Sequence, residues 1–181
     1  MAPTTDDVIG VELDFTVVAG RGLVAMDGGM FKAKTSDPYV IATISGSKKF
    51  KETSDVCPKT LTPEWKQASW KFTMLGRDCN MNASLVLSIF DRDRGMFDAD
   101  DPMGVVTLPL KSLSGTRETW YKVQPCKGCD KATGELKVKT TVALRKALSL
   151  QQEQSVRIPP MASTIACGLG WDMLPGGKAI D

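Results

Sequence analysis

Short stretches in which every second residue is apolar, parted by turn residues, fill the chain up to about residue 143, and helical periodicity is nearly absent over that span. Val11, Leu13, Phe15, Val17 and Ala19 alternate with Glu12, Asp14, Thr16 and Val18, the pattern of a strand with one buried face, until Gly20-Arg21-Gly22 breaks it. Pro38-Tyr39-Val40-Ile41-Ala42-Thr43-Ile44 is apolar on both faces, as in a central strand, and the basic Lys48-Lys49-Phe50-Lys51 reads as a more exposed one. Alternation returns at Ala68, Trp70, Phe72 and Met74, and again at Leu85, Leu87 and Ile89. Gly104 to Leu108 and the short Trp120-Tyr121-Lys122-Val123 come next, and Leu136, Val138, Thr140, Val142 and Leu144 close the series. About eight short strands with regular turns predict an all-β fold, an eight-stranded antiparallel β-sandwich. With 181 residues the chain can bury one proper core. Trp65, Trp70 and Trp120 are expected to anchor its interior or edges. Residues 143–158 are expected to form a short helix or a linker, and Pro159-Pro160 reads as a linker signal.

One strand runs straight into an acidic loop. Asp91, Asp93, Asp98, Asp100 and Asp101 crowd into a segment with Met96 and Phe97 at its tip. Carboxylates this close repel one another unless a cation lies between them. Calcium, which takes roughly 6–8 oxygens in flexible loops, suits such a cluster, and a second loop must complete the shell. The segment is not an EF-hand: counted from Asp91, Met96 stands where that loop needs Gly, and Pro102 where it needs Glu.

Composition narrows the chemistry. The chain has no histidine, which removes serine–histidine and cysteine–histidine nucleophile systems and the commonest zinc ligand. No phosphate-binding loop is visible, and no catalytic activity is expected. Five cysteines, an odd number, are expected to be reduced. Cys126-Lys127-Gly128-Cys129 has zinc-knuckle spacing, but it lacks a second cysteine pair and reads as a loop. A formal net charge of +2 gives no global pull toward an acidic partner, and no nucleic-acid partner is expected. No signal peptide and no run of about 18 apolar residues is present, so a cytoplasmic location is expected.

Four blocks, in order, resemble the C2 domain, the calcium- and phospholipid-binding sandwich. They are Gly20-Arg21-Gly22-Leu23 with Met26-Asp27, then Ser36-Asp37-Pro38-Tyr39-Val40, then Thr60-Leu61-Thr62-Pro63-Glu64-Trp65, and Asp91-Arg92-Asp93 through Asp101-Pro102-Met103-Gly104. Thr62 stands where the family usually has Asn. The resemblance covers residues 8–145. A closing strand, Gly134-Glu135-Leu136 to Leu144, where some relatives carry an opening one, is similar to the family's type II topology.

The resemblance implies a calcium site shared by two loops, with Asp27 and Asp37 from the first and Asp91, Asp93 and Asp101 from the third. Asp101 is preferred because two residues separate it from Gly104. Asp98 and Asp100 stay open, because the loop is longer than usual. Without calcium the acidic end would repel anionic headgroups; with it, lipid oxygens would complete the shell. Met30, Phe31, Met96 and Phe97 are expected to enter the membrane interface, and Lys48, Lys49, Lys51, Lys66 and Lys71 to meet an anionic headgroup, a phosphoinositide included. The expected function is calcium-dependent, reversible, peripheral binding to anionic phospholipid membranes, a targeting module recruited from the cytoplasm. The rival expectation is a calcium-independent protein-interaction scaffold on the same fold, with an unknown protein partner. Residues 146–164 then form a linker. Ile165-Ala166-Cys167-Gly168-Leu169-Gly170-Trp171-Asp172 and Gly177-Lys178-Ala179-Ile180-Asp181 resemble the opening of a TerD-like domain that stops short, or else an irregular C-terminal tail.

Overall fold

A computed structural model describes residues 8–26, 35–76, 79–93 and 99–146. These form eight strands: β1 (Val8–Arg21), β2 (Pro38–Ile44), β3 (Lys51–Thr53), β4 (Ser69–Leu75), β5 (Ser84–Asp91), β6 (Asp101–Pro109), β7 (Gly115–Lys122) and β8 (Glu135–Lys146). They make two four-stranded sheets, ordered β4-β1-β8-β7 and β3-β2-β5-β6, with every pairing antiparallel. The last strand fills the place between β1 and β7, which is the type II arrangement.

Alternation decides what goes inside. Val11, Leu13, Phe15 and Val17 of β1 are at most 2% exposed, and Leu85, Leu87 and Ile89 of β5 are fully buried. Val40, Ala42 and Ile44 of β2, Met103 and Val106 of β6, and Leu136 and Val138 of β8 complete the layer between the sheets. Burying each large aliphatic or aromatic side chain contributes about 1.5–3 kcal/mol. Between the edges β3 and β4 an aromatic series closes the side of the sandwich. Phe50 meets Phe15 at 6.0 Å and Phe72 at 5.0 Å between ring centroids, and Trp70 lies 5.5 Å from Phe15.

Several bounds differ from the sequence reading. The basic strand is Lys51–Thr53, three exposed residues that start where Lys48–Lys51 was expected to end. β8 continues through Lys146, so residues 143–146 are strand rather than helix or linker. Extended β7 starts at Gly115, five residues before the apolar signal of Trp120. Trp65 is buried, Trp70 packs on Phe15, and Trp120 lies under the guanidinium of Arg21, 4.2 Å from the ring centroid. The TerD-like stretch 165–181 lies outside the described residues.

Candidate functional site

The order β2-β5-β6 brings three acidic positions to one rim. Asp37 immediately precedes β2, Asp91 ends β5, and Asp101 begins β6. In the ladders Asp91 faces Pro38 on one side and Asp101 on the other. A β-bulge creates the second pairing: Ile89 faces Gly104, but Phe90 faces Pro102, so Met103 is the extra residue. An unbroken register would have set Asp91 opposite Pro102. Bulges re-aim side chains at strand ends in this way. Gly104 permits it with φ of +135°, where a Cβ would strike the Val123 side chain and stand 2.9 Å from Gln124 O.

Asp37 and Asp91 are 6% and 1% exposed, which is rare for carboxylates and requires polar partners. The Asp37 N–H donates to Asp91 Oδ1 at 2.5 Å. Asp37 Oδ1 accepts the Lys59 N–H at 2.6 Å, and the Asp37 carbonyl accepts the Arg92 N–H at 3.0 Å. Lys59 can point its N–H inward because its φ is +53°, a left-handed conformation within the turn after Pro58. The Cys57 N–H to Pro38 O and the Thr60 N–H to Ser36 O hold that turn on the rim. Ser36, fully buried, ties the two arms of the first loop together: its Oγ accepts the Met26 N–H at 2.9 Å and donates to Val24 O at 3.3 Å.

Asp100 closes the third loop. Its Oδ2 accepts the Tyr39 hydroxyl at 2.6 Å and lies 3.5 Å from Arg92 Nε, while its Oδ1 accepts the Asp93 N–H at 3.1 Å. Arg92 also stacks over Tyr39, 4.7 Å from the ring centroid, and Tyr39 stacks on Phe90. Burial, then the hydrogen bond to Asp100 and the charge of that carboxylate, push the Tyr39 phenol up to about 12, against the opposing pull of Arg92.

The rim thus joins Asp37, Asp91 and Asp101 with Asp93 and Asp100 beside them. Asp27, Met30, Phe31, Met96, Phe97 and Asp98 lie outside the described residues. Among the described residues no group of three or more acidic, cysteine or histidine side chains stands ready-made for a metal ion. Tyr39, Arg92, Lys59 and Ser36 were missed from the sequence as parts of this end. Tyr39 was visible only as a residue of the Asp-Pro-Tyr block.

The five lysines do not form one cluster. Lys48, Lys49 and Lys51 belong to the β2–β3 connection and its strand, at the end of β2 away from Asp37. Seven strand residues separate them from that rim, about 23 Å at roughly 3.3 Å per residue. There Lys48 and Lys49 line a cavity of about 740 Å³ with Ile44, Phe72 and Met74. Lys71, on β4, lies 3.7 Å from Asp14, and Lys66 follows Trp65, whose backbone N–H donates to Val18 O near the acidic end of β1. All five are exposed.

Residues 11–123 match the C2 domain family, and the chain belongs to it. It is 34% identical over 128 residues to a probable serine/threonine-protein kinase of Dictyostelium discoideum, covering 68% of this chain and 12% of that protein. It is 36% identical over 118 residues to synaptotagmin 1 of Drosophila melanogaster, covering 64% of this chain and 23% of that protein. The chain therefore spans under a quarter of the length of either relative. Among solved structures, the C2A domain of a plant extended synaptotagmin 1 shares the fold with a TM-score of 0.58 and 24% identity, covering 78% of this chain and 98% of that one. Among the described residues no helix is long and apolar enough to cross a membrane.

Proposed function

We propose that the chain is a calcium-dependent membrane-targeting module whose rim binds anionic phospholipid. Family members such as the synaptotagmins and extended synaptotagmins are membrane-targeting modules. The observation that carries the reading to this chain is the pair of buried carboxylates, Asp37 and Asp91, on neighbouring strands with Asp101 opposite. Their carboxylate oxygens are hard donors of the kind calcium takes. Asp37, Asp91, Asp93 and Asp101, with Asp27 from the first loop, would hold the ion. Bound there, calcium would offset the carboxylate charge and offer open positions to lipid phosphate or carboxylate oxygens. Asp100 serves as a strut: its two oxygens fix Tyr39 and the Asp93 backbone, and so set the direction in which Asp93 leaves β5. Met30, Phe31, Met96 and Phe97 enter the interfacial layer, and the cytoplasmic protein is drawn to the membrane when calcium rises. Lys48, Lys49 and Lys51, grouped on one hairpin, are the better candidates for a phosphoinositide headgroup, since Lys71 already has Asp14 nearby.

One observation favours the calcium-independent scaffold instead. Arg92 and Tyr39 both hold the Asp100 carboxylate, so part of the acidic charge at this end is neutralised within the chain. Calcium titration calorimetry, then sedimentation with phosphatidylserine liposomes with and without chelator, separates the two readings. Saturable calcium heat and chelator-sensitive sedimentation support the targeting module; neither heat nor sedimentation overturns it. Replacing Asp91 and Asp93 together by Asn should abolish calcium-dependent sedimentation while circular dichroism stays that of a β-sandwich. Unchanged sedimentation would refute the assigned rim.

A further inference from the structure

Cys126 and Cys129 face each other across a two-residue turn. The Cys126 N–H donates to Cys129 O at 3.1 Å and the Cys129 N–H to Cys126 O at 2.9 Å, so the two cysteines form an isolated antiparallel bridge. Residues that exchange both bonds have Cα atoms about 5.5 Å apart, within the span of a disulfide, and their Cβ atoms leave the same face. Gly128 makes so tight a connection possible, with φ of +91°, the left-handed backbone that the third position of a type II turn needs. Both thiols are free, Cys126 half-exposed and Cys129 buried.

From this geometry we propose that Cys126 and Cys129 are a reversible dithiol–disulfide couple, a modification site oxidised by small-molecule disulfides such as oxidised glutathione. The more accessible Cys126, as thiolate, attacks one sulfur of the small disulfide. An S–S bond forms between Cys126 and that sulfur, and the first small thiol leaves with the proton Cys126 gave up. Cys129, as thiolate, then attacks the Cys126 sulfur, forms the intrachain disulfide and releases the second small thiol, which takes the Cys129 proton. The protein loses two electrons and two protons, and the small disulfide gains them. Burial, chiefly, and then the neighbouring Cys126 push the Cys129 thiol up, while a hydrogen bond from the Lys131 backbone works the other way. That ordering suits Cys129 to the second step, in which its target is already in contact, better than to the first. The turn rests on the acidic end of the sandwich: a Cβ on Gly128 would lie 2.7 Å from Pro102 Cγ, the residue after Asp101. Closing the disulfide draws the two Cβ atoms to about 3.8 Å, and the tightened turn bears on the start of β6.

The test equilibrates the full chain in glutathione buffers of graded ratio, traps free thiols with an alkylating agent and weighs the peptides. The expected result is a 126–129 peptide that carries two alkyl groups in reducing buffer and none, with an internal disulfide, in oxidising buffer, while Cys57, Cys79 and Cys167 stay alkylated. Cys129→Ser should leave a glutathione adduct on Cys126, and Cys126→Ser should leave Cys129 without one. Alkylation of both thiols at every ratio, or a disulfide joining either of them to another cysteine, would overturn the proposal. An adduct on Cys129 in Cys126→Ser equal to that on Cys126 in Cys129→Ser would overturn the assigned order of attack.

Discussion

Replacing Tyr39 with Phe removes one oxygen and keeps the ring. The stack on Phe90, 5.7 Å between centroids, and the Arg92 guanidinium over the ring both survive the change. What goes is the hydroxyl donated to Asp100 Oδ2 at 2.6 Å. A hydrogen bond to a charged group is worth about 1.5–3 kcal/mol. The Asp100 side chain is 22% exposed, so water recovers part of that, and the net loss should be about 1–2 kcal/mol. With a urea slope of about 2 kcal/mol per molar, the unfolding midpoint should fall by roughly 0.5–1 M. Asp100→Asn and the double variant complete a cycle, in which the coupling energy should exceed about 0.5 kcal/mol, the usual scatter of independent sites. Alkaline unfolding offers a second reading. The phenol, ordinarily near 10, is held at about 12 in the fold, so its protonated form contributes stability that is complete below pH 10 and is lost as pH rises from 10 to 12. Tyr39→Phe should lose less stability than the parent across that interval. Midpoints equal within error, with no coupling to Asp100, would refute the role of this clasp in holding the third loop.

Gly104→Ala should destabilise the domain by about 1–3 kcal/mol in urea, since its Cβ would strike Val123 and Ala132 at a left-handed backbone position. A stable variant with the parent's calcium response would show that the bulge does not set the rim. Met96→Ala with Phe97→Ala should weaken liposome sedimentation by about 1.5–3 kcal/mol per side chain while leaving lipid-free calcium heats unchanged. Calcium at about 100 times its dissociation constant should stabilise the fold by about 2.7 kcal/mol in urea titrations, and a chelator should reverse the gain.

The strands that face the core on one side were legible because the pleat has a period of two: Val11 to Val17 and Leu85 to Ile89 are buried on the predicted face. β7 was legible only at its end. Gly115 to Glu118 are exposed on an outer strand, and their pairing with β8, not their apolarity, makes them extended. The same holds for Lys51–Thr53 at the other sheet's edge. Asp37, Asp91 and Asp101 could be assembled from a family resemblance, and sheet order brings them together. The work of Asp100 could not be read, because it depends on a phenol 61 positions away in the chain. Nor could the bulge at Met103, where a single extra residue decides whether Asp101 or Pro102 stands opposite Asp91.

The pairing of β1 with β8 also has a mechanical meaning. Val8 faces Lys146 at one end of the ladder and Arg21 faces Glu135 at the other. A force applied between Val8 and Lys146 therefore meets the hydrogen bonds one after another, beginning at the outermost, instead of loading them all at once. The domain meets such tension as a zipper does, rung by rung. The rim lies at the far end of that ladder, beyond Arg21 and Glu135, so the opening of the first rungs leaves Asp37 and Asp91 in their places.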